Sequence, residues 1–225
     1  MFIGHFAVGF AGKRLAPRTN VALLIAAALL LDILWPVFVL LGWEQVRIDP
    51  GNTRYTPLDF VSYPWTHSLL MSMLWATLFA LGYYAATRYR PGALMIWILV
   101  VSHWILDWVS HRPDMPLYPG GPRVGLGLWN SIPGTMIVEL LMLAFGVGLY
   151  LRVTRARDRI GRYALLSYVL LLLFAYVGDR FSDPPADVGQ IAWLALIASA
   201  VLIPWAWWFE RHRELRTGCD SVAAP

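Results

Sequence analysis

Six stretches of the chain are almost wholly apolar, at residues 20–42, 66–87, 92–110, 133–151, 163–178 and 189–208. Each is close to the ~20 residues that a helix needs to cross ~30 Å of hydrocarbon. The fifth is the shortest, and Arg162 at its edge can snorkel to the interface, which lets that helix begin earlier. Turn-forming residues gather between the stretches, in DPGNTRYTP, HRPDMPLYPGGP and SDPPAD. A shorter apolar run opens the chain as MFIGHFAVGFAGKR. Its basic pair follows the apolar part instead of preceding it, unlike a secretory signal, so it reads as an uncleaved half-helix ending at Lys13. The pattern predicts an all-α, polytopic membrane helix bundle with about six transmembrane helices plus this short N-terminal half-helix. No internal repeat is present. One membrane domain spans 1–225, with the polar chemistry in about 1–130, additional helices in about 131–210 and a polar tail over 211–225.

Composition agrees: 58% of the 225 residues are hydrophobic and only 14% are charged. A soluble domain has roughly a quarter charged residues, because a wet surface needs them. The net charge is +4 with a pI near 9.4. In a membrane chain that excess reports loop Arg and Lys on the cytoplasmic side, so membrane lipid is the expected partner and nucleic acid is not. Oligomeric state is left open. The single cysteine, Cys219, lies in the tail, so neither an intramolecular disulfide nor a Cys-rich zinc site is available. A metal must be held by His and carboxylates.

The basic residues also orient the chain. Lys13, Arg14, Arg18, Arg88, Arg90, five arginines from Arg152 to Arg162, Arg211, Arg213 and Arg216 fall on one side of the six spans. Arg47, Arg54, Arg112, Arg123 and Arg180 fall on the other. The richer side is expected to be cytoplasmic, which puts both termini inside a bacterial inner membrane. Trp43 and Trp65 then suit the outer interface, and Trp205, Trp207 and Trp208 the inner one.

Against this apolar background a few ionisable residues stand out: Asp32 in LLLDILWP, His103 and Asp107 in VSHWILDWVSH, and Glu139. A charge at the centre of a bilayer costs at least ~2.5–3.5 kcal/mol, so such residues mark function or a paired network. His103, Asp107 and His111 are spaced four apart, and each step of four turns ~400°, which keeps all three on one helical stripe. An imidazole and a carboxylate one turn apart can chelate a divalent ion. Counting 1.5 Å per residue from the cytoplasmic edge puts Asp32 ~18 Å deep, His103 ~17 Å, Asp107 ~23 Å and His5 ~12 Å. His67 opens the second span at its outer end. Glu139 lies ~9 Å below the outer end of its helix. Pro36 removes the hydrogen bond to the Asp32 carbonyl, so the first long helix is expected to bend there.

Each residue also has a plainer reading. Thr66, His67 and Ser68 can simply cap a helix. Glu139 can be structural, His111 solvated, and Arg112 paired with Asp114 instead of an anionic substrate. His212, in the basic tail, is expected to be solvated. The group of Asp32, His103 and Asp107 with His5 and His67 nearby favours a metal site.

The order GHF, LLLDILWP, THS and SHWILDWVSHRPD, over roughly residues 1–130, resembles the bacterial membrane-bound metal-dependent hydrolases, also described as LexA-binding, inner-membrane-associated hydrolases. It is more distantly similar to the zinc-dependent phospholipase C and P1 nuclease group. The resemblance implies His5, Asp32, His67, His103 and Asp107 as metal ligands, Asp107 as a bridge between two zinc ions, and His111 as a further ligand. That group completes its site with a later His-x-x-x-Glu pair. Here the position four before Glu139 is Thr135, which favours one or two ions over three.

Two functions follow as expectations. The first is a membrane-embedded hydrolase using a divalent metal, zinc first, on a lipid-linked phosphoester or similar ester. Asp32, Asp107 or Glu139 would be its catalytic carboxylate, and Arg112 among the outer arginines its phosphate holder. The second is a non-catalytic metal-binding or ion-handling membrane protein. The orientation has its own test. A reporter active only in the cytoplasm gives signal when fused after Arg90 or Arg159 and none after Gly121; the reverse pattern overturns the topology.

Overall fold

The computed structural model describes residues 1–216; Cys219 and the rest of the expected tail, 217–225, lie outside the described residues. The architecture is helical. The half-helix is α1 (Ile3–Gly12), and the first long stretch divides into α2 (Val21–Ala28) and α3 (Leu30–Leu40). A short α4 (Pro64–His67) precedes α5 (Leu69–Thr87), followed by α6 (Arg90–Ser110), α7 (Ile132–Val153), α8 (Arg159–Gly178) and α9 (Val188–Arg211). Five of these helices are long and apolar enough to cross a membrane, and α2 with α3 makes a sixth if the bent pair counts as one span.

Local chemistry sets the ends. Asn20, Ser68, Ser131, Asp158 and Asp187 each accept a backbone N–H in the first turn of the helix they precede. Arg88 ends α5 in the left-handed conformation, at φ 56°. The fifth span begins at Arg159, with Arg162 inside it.

Two expectations about breaks need correction. The bend in the first span, 53°, falls at Leu29 and not at Pro36, which sits inside α3. No helix breaker lies near Leu29; a contact from α6, described below, holds the bend instead. The second span does not begin at His67. Ser68 is extended, at ψ 148°, so His67 ends α4 and α5 starts afresh at Leu69.

The half-helix is the centre of the packing. Eight of its ten residues are buried, among them Ile3, Phe6 and Phe10. Phe10 meets Tyr150 of α7 edge-on at 5.3 Å and stacks on Phe209 of α9 at 6.3 Å. Close approach needs small residues, as it does wherever membrane helices touch backbone to backbone. A Cβ on Gly146 would stand 2.2 Å from the Ala7 carbonyl oxygen, and one on Gly9 would stand 2.9 Å from Ile25 Cα. A second cluster, with Leu24, Leu31, Ile96, Leu99 and Trp104, fills the space between α2, α3 and α6. Large apolar side chains such as Leu81, Leu141, Phe145, Phe174 and Leu194 point outward, as a lipid-facing surface requires.

The loops hold three small antiparallel ribbons that helical patterning does not foresee. They pair β1 (Gln45–Ile48) with β2 (Leu58–Ser62), β3 (Met115–Pro116) with β4 (Arg123–Val124), and β5 (Thr154–Ala156) with β6 (Arg213–Leu215). The last draws the start of the expected polar tail back into the fold. Arg213 is buried and donates to the Gly161 carbonyl at 2.8 Å, and His212, expected to be solvated, has Nδ1 2.6 Å from Asp158 Oδ2. At the same end Lys13 is buried, donates to the Thr19 carbonyl at 2.9 Å and pairs with Glu210, which also accepts from Tyr150. Trp205, expected at an interface, lies edge-on to Tyr168 at 5.8 Å.

The α1–α7 contact generates a paired test. Gly146→Ala forces a methyl into the Ala7 carbonyl and should cost about 1–3 kcal/mol, read as a lower melting temperature in detergent. Gly148→Ala, with nothing within 4 Å of the added carbon, should melt like the wild type.

Candidate metal centre

The bend at Leu29 prepares the site. There the Ala28 carbonyl accepts a hydrogen bond from His103 Nδ1 at 2.7 Å. A carbonyl can only accept, so Nδ1 carries the proton and a neutral His103 has its lone pair on Nε2. That Nε2 is buried and has no hydrogen-bond partner among the described residues. A backbone carbonyl behind the ring is the usual way a ligating histidine is aimed.

His67 is aimed by a different neighbour. Its Nδ1 lies 2.7 Å from Thr66 Oγ1, and its Nε2 points the other way, 3.5 Å from Asp32 Oδ1 and 3.8 Å from Asp107 Oδ2. His103 Nε2 is 3.6 Å from Asp32 Oδ1 and 3.0 Å from Asp107 Oδ2. Two nitrogens and two oxygens therefore face one another with cross distances of 3.0–3.8 Å. A tetrahedron with ~2.0–2.1 Å zinc–ligand bonds has edges of about 3.3 Å. These four nitrogen–oxygen distances bracket that edge, but Asp32 and Asp107 do not close into one group with both rings; Asp32 groups with His67 and His103, and Asp107 with His5 and His103.

His5 joins from α1. Its ring stacks on His103 with 3.7 Å between centroids and 3° between planes. His5 Nε2 is 3.1 Å from Asp107 Oδ1, while Nδ1 is buried without a partner among the described residues. The buried Met1 amino group also contacts Asp107 Oδ1, and lies 3.3 Å from Ser110 Oγ. The five expected side chains thus come together as two groups, His5–His103–Asp107 and Asp32–His67–His103, which share His103. Asp107 turns one oxygen toward His5 and the other toward His67 and His103. All are buried except Asp32, whose side chain is 42% exposed, so the cluster opens on the Asp32 side.

His111 belongs to neither group. The helical stripe ends early: α6 stops at Ser110, and His111 is extended, at ψ 152°. Its ring turns into an aromatic nest, 4.2 Å from Trp129 and 4.9 Å from Phe60, with Nδ1 3.0 Å from Asp114 Oδ1. Burial lowers its pKa below the usual histidine value despite the Asp114 carboxylate. Tyr63 donates to the same Asp114 oxygen at 2.8 Å; burial, reinforced by that carboxylate, holds its hydroxyl well above the usual tyrosine range. Arg112 donates to Asp114 Oδ2 at 3.2 Å and pairs with Asp59 on β2, so the plainer reading of Arg112 is the one seen.

Glu139 is fully buried but sits outside both groups. Its Oε2 accepts from the backbone N–H of Phe2, at 2.9 Å, and of Gly4, at 3.1 Å. It thereby satisfies the open amides where α1 begins. Sequence reasoning missed Glu44, which accepts from the Thr66 hydroxyl at 2.6 Å and from the backbone N–H of Trp65 and Thr66, each at 2.8 Å. Burial raises its carboxyl above the ordinary value, while those donors pull the other way. Nothing marks Glu44 along the chain, since its partners lie more than twenty residues away.

Residues 1–182, which include every residue of the cluster, match the family described as YdjM inner membrane protein. No curated protein and no solved structure matches the chain.

The place of Glu139 gives a stability test. Glu139→Ala leaves the buried Gly4 amide and the part-buried Phe2 amide without an acceptor, which should cost roughly 1–3 kcal/mol and lower the melting temperature. Glu139→Gln keeps an acceptor and should lose less; equal melting of wild type and Glu139→Ala would refute the anchoring role.

Proposed function

Since the chain belongs to the YdjM inner membrane protein family and gathers three histidines and two aspartates in its interior, we propose that this multi-pass inner-membrane protein is a metal-dependent hydrolase. The observation that carries the reading is the pair of interlocking clusters, Asp32–His67–His103 and His5–His103–Asp107, whose ligand atoms lie within 4.8 Å of one another in each. Imidazole and carboxylate donors without thiolate suit zinc and its first-row neighbours. Asp32, His67 and His103 would hold an ion, or His5, His103 and Asp107 would; the two sets share His103. A divalent ion so held supplies Lewis acidity and a water that ionises near neutral pH.

The chain's own residues supply the rest. Asp32 is the exposed carboxylate, placed to meet substrate and to accept a proton from water. Ala28 and Thr66 hold His103 and His67 in orientation. Glu139 anchors α1 and is not the base. The substrate class we favour is a lipid-linked phosphoester. Arg112 is occupied by Asp59 and Asp114, so phosphate holding passes to other arginines. Arg54 has no carboxylate partner among the described residues and lines a cavity of about 540 Å³ apart from the five cluster residues, with room for an anionic headgroup; Arg180, on the same cavity, is held by Asp179 and the Tyr55 carbonyl. Charge counting orients this opening toward the outer leaflet, with both termini cytoplasmic.

The test is chelation. Purified protein should hold one or two zinc or similar ions, and removing them should abolish hydrolysis of lipid phosphoesters, with zinc restoring it. His103→Ala combined with Asp107→Ala should empty the centre, and full metal retention there refutes it. Asp32→Asn should cut turnover by at least ~10² while sparing the fold, and Glu139→Gln should turn over near normally. Metal that stays bound in a protein with no chelator-sensitive turnover on any lipid phosphoester or acyl ester would replace the enzyme with a metal-stabilised scaffold.

A further inference from the structure

We infer that Glu44 and Thr66 form a proton-ordering relay that fixes the tautomer of His67 and so makes its Nε2 a ligand. The inference rests on the metal-centre reading above and adds two positioning residues to it. Glu44 is 1% exposed and lies in the loop between α3 and β1. Its Oε1 is filled by two backbone amides, and its Oε2 faces the Thr66 hydroxyl at 2.6 Å. Thr66 is itself fully buried, and a hydroxyl has one proton to give. With Glu44 ionised, held so by three donors on its two oxygens, that proton goes to Glu44; otherwise two lone pairs would oppose each other across 2.6 Å. Thr66 Oγ1 is then only an acceptor toward His67 Nδ1, 2.7 Å away. Nδ1 must carry hydrogen, and the Nε2 lone pair faces Asp32 and Asp107.

The plain alternative is that Glu44 merely fastens α4 through its two backbone bonds. Glu44→Gln separates the two. The amide oxygen keeps both backbone bonds, but the amide nitrogen now donates to Thr66 Oγ1. The hydroxyl must turn to His67 Nδ1, and the ring hydrogen moves to Nε2. Fastening survives this change; the relay reverses.

The first measurement uses metal-free full-length protein in detergent, labelled with ¹⁵N-histidine, with the His67 signal assigned by its loss in His67→Asn. Nδ1 should be protonated in wild type and in Thr66→Ser, and unprotonated in Glu44→Gln. An unprotonated Nδ1 in wild type, or an unchanged Nδ1 in Glu44→Gln, overturns the relay. The second measurement is zinc affinity by competition. Glu44→Gln and Thr66→Val should each bind about 10–100-fold more weakly, as loss of an outer partner does. Thr66→Ser should bind like wild type. Combining Glu44→Gln with Thr66→Val should be no worse than Thr66→Val alone, because both act on one path; additive losses refute it. If wild type binds no zinc, the hydrolase reading fails, while the tautomer measurement still decides the relay.

Discussion

The Asp107 carboxylate is the constraint around which the rest is arranged. It is 2% exposed in an apolar helix, where an unpaired charge is untenable. Its partners come from separate elements: His5 and the Met1 amino group from the start of the chain, His67 from α4, and His103 one turn back on α6. Each partner demands something of its own element. His103 needs an acceptor behind it, which the bend at Leu29 provides. His67 needs to end a helix, which extended Ser68 provides. His5 needs α1 to enter the bundle, which Gly9 and Gly146 permit.

Stability and chemistry are therefore hard to separate here. The contacts that seat α1 between α2 and α7 are ordinary packing of small residues. Yet they fix where His5 stacks on His103. Glu139, which turns one carboxylate oxygen to two amides at the start of α1, serves the cluster without belonging to it. The second polar cluster, of Tyr63, Asp114, Arg112 and Asp59, secures the loops beside the site and keeps His111 for itself.

Much of this was legible in the chain. The spans and the half-helix follow from the apolar pattern, and the five residues picked out along it do converge. Four features escaped it. The bend at Leu29 answers to His103 on another helix, and LLIAAALLLD gives no local sign of it. Pro36 gave a sign that tertiary packing overrode. His111 continued the spacing of the stripe, but the helix ended one residue too soon. Glu44 sat in a loop of no evident pattern. Long-range hydrogen bonds decide the bend at Leu29 and the role of Glu44, and periodicity does not read these.

The buried pair of Lys13 and Glu210 links the two ends of the described chain, and this bears on the order of assembly. Lys13 closes the half-helix that carries His5, while its counter-ion arrives only when the last helix has been made. Until then the ammonium is not neutralised, and α1 has reason to stay near water. The β5–β6 ribbon then clips residues 213–215 against 154–156, holding that last helix in place. The half-helix that carries His5 thus gains its buried counter-charge only once synthesis has passed residue 210. Nascent chains halted earlier would hold all five cluster residues and lack the carboxylate that Lys13 is buried against.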